Sequence, residues 1–121
     1  MHIRGKGYKP AVYSVKTWQK RYGIVKGQQD GRTHTKVYRV GSSKKAKAAA
    51  KWAKDNYYKK NYSYGINTKI NSKNPTYCSK IVWQAYKSQN LVNTPKSKIA
   101  TPYGLPGYFK SSAKIKGIGI L

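Results

Sequence analysis

Two carboxylates, Asp30 and Asp55, stand against 26 lysines and arginines, which gives a formal charge of +24. That imbalance limits what the chain can fold into. Its surface has almost no ion pairs to draw on and repels itself, so the core must supply the cohesion. Leu, Ile, Val and Phe together number 20, a scarcity that with high charge usually marks a disordered chain. Twelve tyrosines and three tryptophans compensate, because each buries on the order of 150–250 Å². The expectation is one folded, aromatic-rich domain spanning residues 1–121.

The same arithmetic excludes whole classes of function. One cysteine rules out a disulfide-stapled scaffold and a multi-cysteine zinc module. Two acids leave no room for a carboxylate-pair mechanism or a calcium site. No apolar run approaches the roughly 18 residues of a membrane span. Met1 to Gly7 leads into no apolar stretch of the kind a secretory signal carries. The partners that +24 attracts are nucleic acid, anionic lipid, or an acidic wall polymer such as teichoic acid. Lysines outnumber arginines 22 to 4, and no basic run exceeds two. Base-edge readers favour the planar arginine fork, so diffuse lysine suits non-specific attraction to a polyanion better than sequence readout.

Periodicity organises the chain. Tyr8 to Val15 has strand-like content, and Lys16 to Tyr22 suits a short helical turn. Gly23 to Arg32 is loop, and Thr35 to Val40 alternates as a strand. Ala46, Ala49, Ala50, Ala53 and Tyr57 share one face of a helix over Ser42 to Tyr57, with Ser42 or Ser43 as its cap. Lys44, Lys45 and Lys47 then oppose the helix dipole. Asn56 to Asn74 reads as a long loop with Tyr57, Tyr58, Tyr62 and Tyr64 turned inward. Cys78, Ile81, Val82 and Ala85 fall at helical spacing, with Pro75 and Thr76 at the entrance, so Cys78 opens the helix. Asn90 to Pro106 is loop, and Ile115 to Ile120 is a last strand weakened by two glycines. Trp18, Trp52, Trp83, Tyr38 and Tyr86 are expected inside.

A lone cysteine is most often a small buried hydrophobe. At a helix start, however, the dipole and unpaired N–H groups favour the thiolate, and so does a strongly positive field. This predicts a depressed pKa for Cys78. A thiol nucleophile also needs a base, usually histidine.

The stretch Thr76-Tyr-Cys-Ser-Lys-Ile-Val-Trp-Gln-Ala-Tyr86 resembles the active-site helix of the NlpC/P60 superfamily, in its circularly permuted, YycO-like branch. Gly5-Lys-Gly7, Val37-Tyr-Arg-Val40 before an Ala-rich helix, Asn61-Tyr-Ser-Tyr64 and Ala100-Thr-Pro102 follow that branch in order, over roughly residues 3–112. The resemblance implies a papain-like α+β fold, with a small antiparallel sheet packed on the Cys-bearing helix and a second, Ala-rich helix. It implies a cysteine hydrolase of peptide or amide bonds, commonly in peptidoglycan, acting through a thiol acyl-enzyme at Cys78 with no metal or cofactor. Backbone N–H groups of Cys78 and Ser79 would hold the oxyanion, and Tyr77 would lie beside the nucleophile. The setting implied is secreted or cell-wall associated.

The branch carries its histidine on an early strand, after a glycine, with a glutamate on the next. This chain has no Gly-His pair and no glutamate; its histidines are His2 and His34. Three readings follow. The chain lacks the N-terminal part of the family domain; or it is a non-hydrolytic relative; or His2 serves as the base in altered geometry. The alternative function is a cationic binding module for teichoic acid or single-stranded nucleic acid, which aromatic stacking in a basic groove would hold.

Overall fold

The computed structural model describes Lys16 and residues 36–120. The expected strand at Tyr8 to Val15, the turn at Lys16 to Tyr22 apart from Lys16, His2, His34 and Trp18 lie outside the described residues. Among those described, three helices and a two-stranded antiparallel sheet make an α+β arrangement.

Strand β1 (Lys36–Arg39) and strand β2 (Lys116–Ile120) pair antiparallel, Val37 opposite Gly119 and Tyr38 opposite Gly117. The register shifts between those two pairs, leaving Ile118 as an extra residue on β2. Gly119 has φ +137, a backbone setting that a side chain would strain. The glycines that weaken the strand's propensity therefore let it bend past its partner.

Helix α1 (Ser43–Tyr57) begins as its sequence dictates, with Ser42 Oγ accepting from the Lys45 N–H at 3.2 Å. Its alanine face buries Ala49, Ala53 and Tyr57 against helix α2 (Cys78–Lys87). Alanines bring the two backbones close, and Ile81 and Ala85 of α2 complete the cluster. The outer face carries Lys44, Lys45, Lys47, Lys51 and Lys54, all exposed. Lys51 pairs with Asp55 at 2.6 Å on that face, a contact worth at most about 1 kcal/mol.

Helix α2 is buried on most of its circumference: Ser79, Lys80, Ile81, Trp83, Gln84 and Ala85 are all inside. A second cluster on its other side joins Ile70, Tyr77, Trp83, Val92 and Ala100, with Leu105, Tyr108 and Phe109 packed over it. Helix α3 (Leu105–Tyr108) falls where the sequence suggests the end of a loop. Pro106 suits a helix start, and Gly107 conceals the turn from propensity.

Two aromatic expectations are corrected. Tyr58 is 40% exposed and Tyr38 is 42% exposed. Tyr58 caps the C-terminus of α1, beyond the buried face, with Lys54 and Lys59 near its ring. Tyr38 lies across from Gly117, which has no side chain to cover it. Trp83 is buried as expected, and Trp52 and Tyr86 are half-buried.

Candidate active site around Cys78

Cys78 is the first residue of α2. The chain reaches it through Thr76, whose N–H bonds the Ser63 carbonyl at 2.9 Å and whose carbonyl accepts from Gly65 N–H at 3.0 Å. Tyr77 is extended, and the helix begins without a side-chain cap. The N–H groups of the first turn are therefore free of the usual capping partner. Those of Ser79 and Cys78 itself bear on the sulfur and favour its anionic form.

Burial acts in the opposite direction and is stronger. The sulfur is half-buried and packs against the cluster of Ala49, Ala53, Tyr57, Ile81 and Ala85. Desolvation pushes the thiol pKa up, and the two N–H groups recover only part. The expected depression of the Cys78 pKa is thus reversed among the described residues. The sequence shows the helix start but not the buried cluster of α1 and α2 residues against which Cys78 packs.

The side chains of Tyr77 and Ser79 both reach the Ala100 segment. Tyr77 turns away from the sulfur into the second cluster, where its hydroxyl accepts from Ala100 N–H at 3.1 Å. Its pKa is raised by burial and partly offset by that bond. Ser79 is buried, and its hydroxyl donates to the Ala100 carbonyl at 2.6 Å. Both neighbours of Cys78 therefore bond the backbone of Ala100, Tyr77 at the N–H and Ser79 at the carbonyl.

A buried polar stripe running into α2 is not read from the sequence. Thr76, Lys80 and Gln84 recur every fourth residue and all are inside. Lys80 Nζ donates to Ser72 Oγ at 3.0 Å, the Pro75 carbonyl at 3.0 Å and Asn67 Oδ1 at 3.3 Å. No carboxylate shares that cage among the described residues, and desolvation lowers its pKa. Gln84 Nε2 donates to the Ile70 and Ser72 carbonyls at 2.7 and 2.8 Å, while its Oε1 accepts from the Tyr57 hydroxyl. Lys80 and Gln84 secure residues 67–75 against α2. The stripe's one signal in the sequence is the four-residue spacing, and lysine and glutamine are ordinarily solvent residues.

The Cys78 face continues along α2 through Val82 and Tyr86, at i, i+4 and i+8. Both line an apolar cavity of about 240 Å³ walled by Ala46, Ala49, Ala50 and Ala53. Both also line a second cavity of about 180 Å³, across which α2 faces Tyr38, Val40 and Ile115 of the sheet side. Among the described residues no group of three or more His, Cys, Asp or Glu is placed to hold a metal ion.

Residues 1–119 match the family described as Lipoprotein N-acylation protein LnsA-like. The chain belongs to that family. It is also 35% identical, over 124 residues, to an uncharacterized 30.3 kDa protein of Bacillus thuringiensis. That match covers 93% of the chain and 43% of the relative, so the chain spans less than half the relative's length. No solved structure matches it.

Proposed function

We propose that Cys78 is the nucleophile of an acyl transfer to an amine, with a thioester intermediate, on a papain-like scaffold. One observation carries the reading: a single thiol opens α2 with the N–H groups of Cys78 and Ser79 bearing on its sulfur, in a chain of the lipoprotein N-acylation family. The thiolate attacks the carbonyl carbon of an acyl ester, the C–O bond breaks, and the alcohol leaves with a proton. The amine of a lipoprotein then attacks the thioester, the C–S bond breaks, and the amine's proton passes to a base. His2 is the base that the sequence offers for both transfers.

Hydrolysis would use the same acyl-enzyme with water as acceptor. The apolar stripe beyond Cys78 favours the acyl reading over a peptidoglycan stem peptide: Val82 and Tyr86 border cavities walled by alanines and aromatics. Hydrocarbon suits such walls, whereas a charged peptide would lose its hydration there.

The test supplies phospholipid vesicles as donor and a lipopeptide with a free amine as acceptor. The expected product is the N-acylated lipopeptide, formed by the unaltered chain and lost at least 100-fold in Cys78→Ala, as for removal of a covalent nucleophile (roughly 10²-fold or more). Full activity in Cys78→Ala ends the reading. Release of free fatty acid with no N-acyl product returns it to hydrolysis.

A further inference from the structure

The turn beside the nucleophile is built to hold one aromatic ring in solvent. Ala100 is buried and tied by both of its backbone groups to Tyr77 and Ser79, the neighbours of Cys78. Beyond it, Thr101 N–H donates to the Tyr108 hydroxyl at 3.2 Å, and Gly104 N–H donates to Thr101 Oγ1 at 3.1 Å. A Cβ on Gly104 would lie 2.4 Å from the Tyr108 hydroxyl and 2.6 Å from Thr101 Oγ1, so only glycine closes this turn. At its outer end Tyr103 is 100% exposed, whereas the next most exposed aromatic among the described residues, Tyr38, is 42% exposed.

A ring wholly in water adds nothing to folding, so bracing the turn that carries it points to an external contact. Its surroundings indicate the chemistry of that contact. Pro102 is exposed, while Leu105 and Pro106 are half-buried beside it. Lys96 and Lys98 are exposed on the segment leading into the turn, on a chain of net charge +24. A tyrosine with an apolar rim and nearby lysines matches the headgroup region of a bilayer. There the ring sits at the boundary, and lysines reach lipid phosphates. Each lysine near an anionic leaflet contributes to the attraction. Single-stranded nucleic acid is held by successive rings along a basic groove, whereas Tyr103 stands as one fully exposed ring among the described residues, with an apolar rim that suits lipid better.

We propose that the Tyr103 turn docks the protein on an anionic lipid bilayer. The purpose of docking rests on the acyl-transfer reading, but the docking itself needs no thiol. The experiment is co-sedimentation with phosphatidylcholine vesicles and with vesicles containing phosphatidylglycerol. Binding is expected to the phosphatidylglycerol vesicles, to weaken with added salt, and to be equal in Cys78→Ala. Tyr103→Ser is expected to weaken it roughly 3- to 10-fold, and Tyr103→Trp to restore it. Because Tyr103 is fully exposed, an unchanged circular dichroism spectrum certifies both variants. Equal binding by Tyr103→Ser, or equal binding to neutral vesicles, overturns the proposal. So does single-stranded DNA binding that depends on Tyr103 as strongly as vesicle binding does. Loss of N-acyl product with vesicle binding intact would sink the acyl-transfer reading and leave docking standing.

Discussion

At Cys78 two elementary effects oppose each other. The helix start favours the thiolate, and burial against the cluster of Ala49, Ala53, Tyr57, Ile81 and Ala85 favours the thiol. Burial wins, so the described residues alone make this a poor nucleophile near neutral pH. An acyl-transfer role then requires a partner that restores the anion, and His2 is the imidazole proposed for it. The pH profile of alkylation by iodoacetamide, followed by mass spectrometry, separates the contributions. In His2→Ala the midpoint is expected above the ordinary thiol value of about 8.5. In the unaltered chain it is expected lower, and in His34→Ala unchanged from that. Coincident midpoints in His2→Ala and the unaltered chain would remove His2 from the mechanism.

At the scale of elements, α2 positions the site because it is gripped from several sides. Alanines of α1 hold one side, Tyr77 and Ser79 grip Ala100, and Lys80 and Gln84 secure residues 67–75. Lys80→Ala would leave the Pro75 carbonyl without its ammonium partner, while Asn67 Oδ1 keeps the Lys69 N–H and Ser72 Oγ keeps the Lys69 carbonyl, at an expected cost of about 1–3 kcal/mol by urea unfolding. No change in the urea midpoint would show that water replaces the ammonium without loss. Helices α1 and α2 and the last two strands are legible because their signals are local. Alanine spacing and a serine cap mark α1, alternation marks β1, and Pro75-Thr76 marks the entrance to α2. The lysine cage and the burial of Cys78 are not legible, because each depends on which distant segment folds over the residue. Helix α3 was hidden by Pro106 and Gly107, residues that suit a turn equally well.

Across the whole molecule, tyrosines that replace aliphatics make the core sensitive to alkali. Burial raises the pKa of Tyr57, Tyr77 and Tyr86, and of Cys78. In Tyr57, Thr76 and Gln84 offset part of that rise, and in Tyr86 Arg39 does so. A raised folded pKa contributes stability that is present in full below the unfolded value and lost as pH climbs through the folded one. For the tyrosines that loss begins near 10.0. Lys80, with its lowered pKa, acts in the opposite sense over its own window and offsets one group against four. Thermal melting is therefore expected at a steadily lower temperature once pH passes about 10. A melting temperature that holds constant between pH 9 and 11, a span of about two units around the tyrosine range, would contradict an aromatic, charge-intolerant core.

The central claim concerns one covalent bond, and intact-mass spectrometry reads it directly. After incubation with phospholipid vesicles and quenching in acid, the unaltered chain is expected to carry one added acyl group at Cys78. Neutral hydroxylamine should remove that group, and Cys78→Ala should never acquire it. An acyl adduct of equal yield in Cys78→Ala, or one that resists hydroxylamine, would contradict the account.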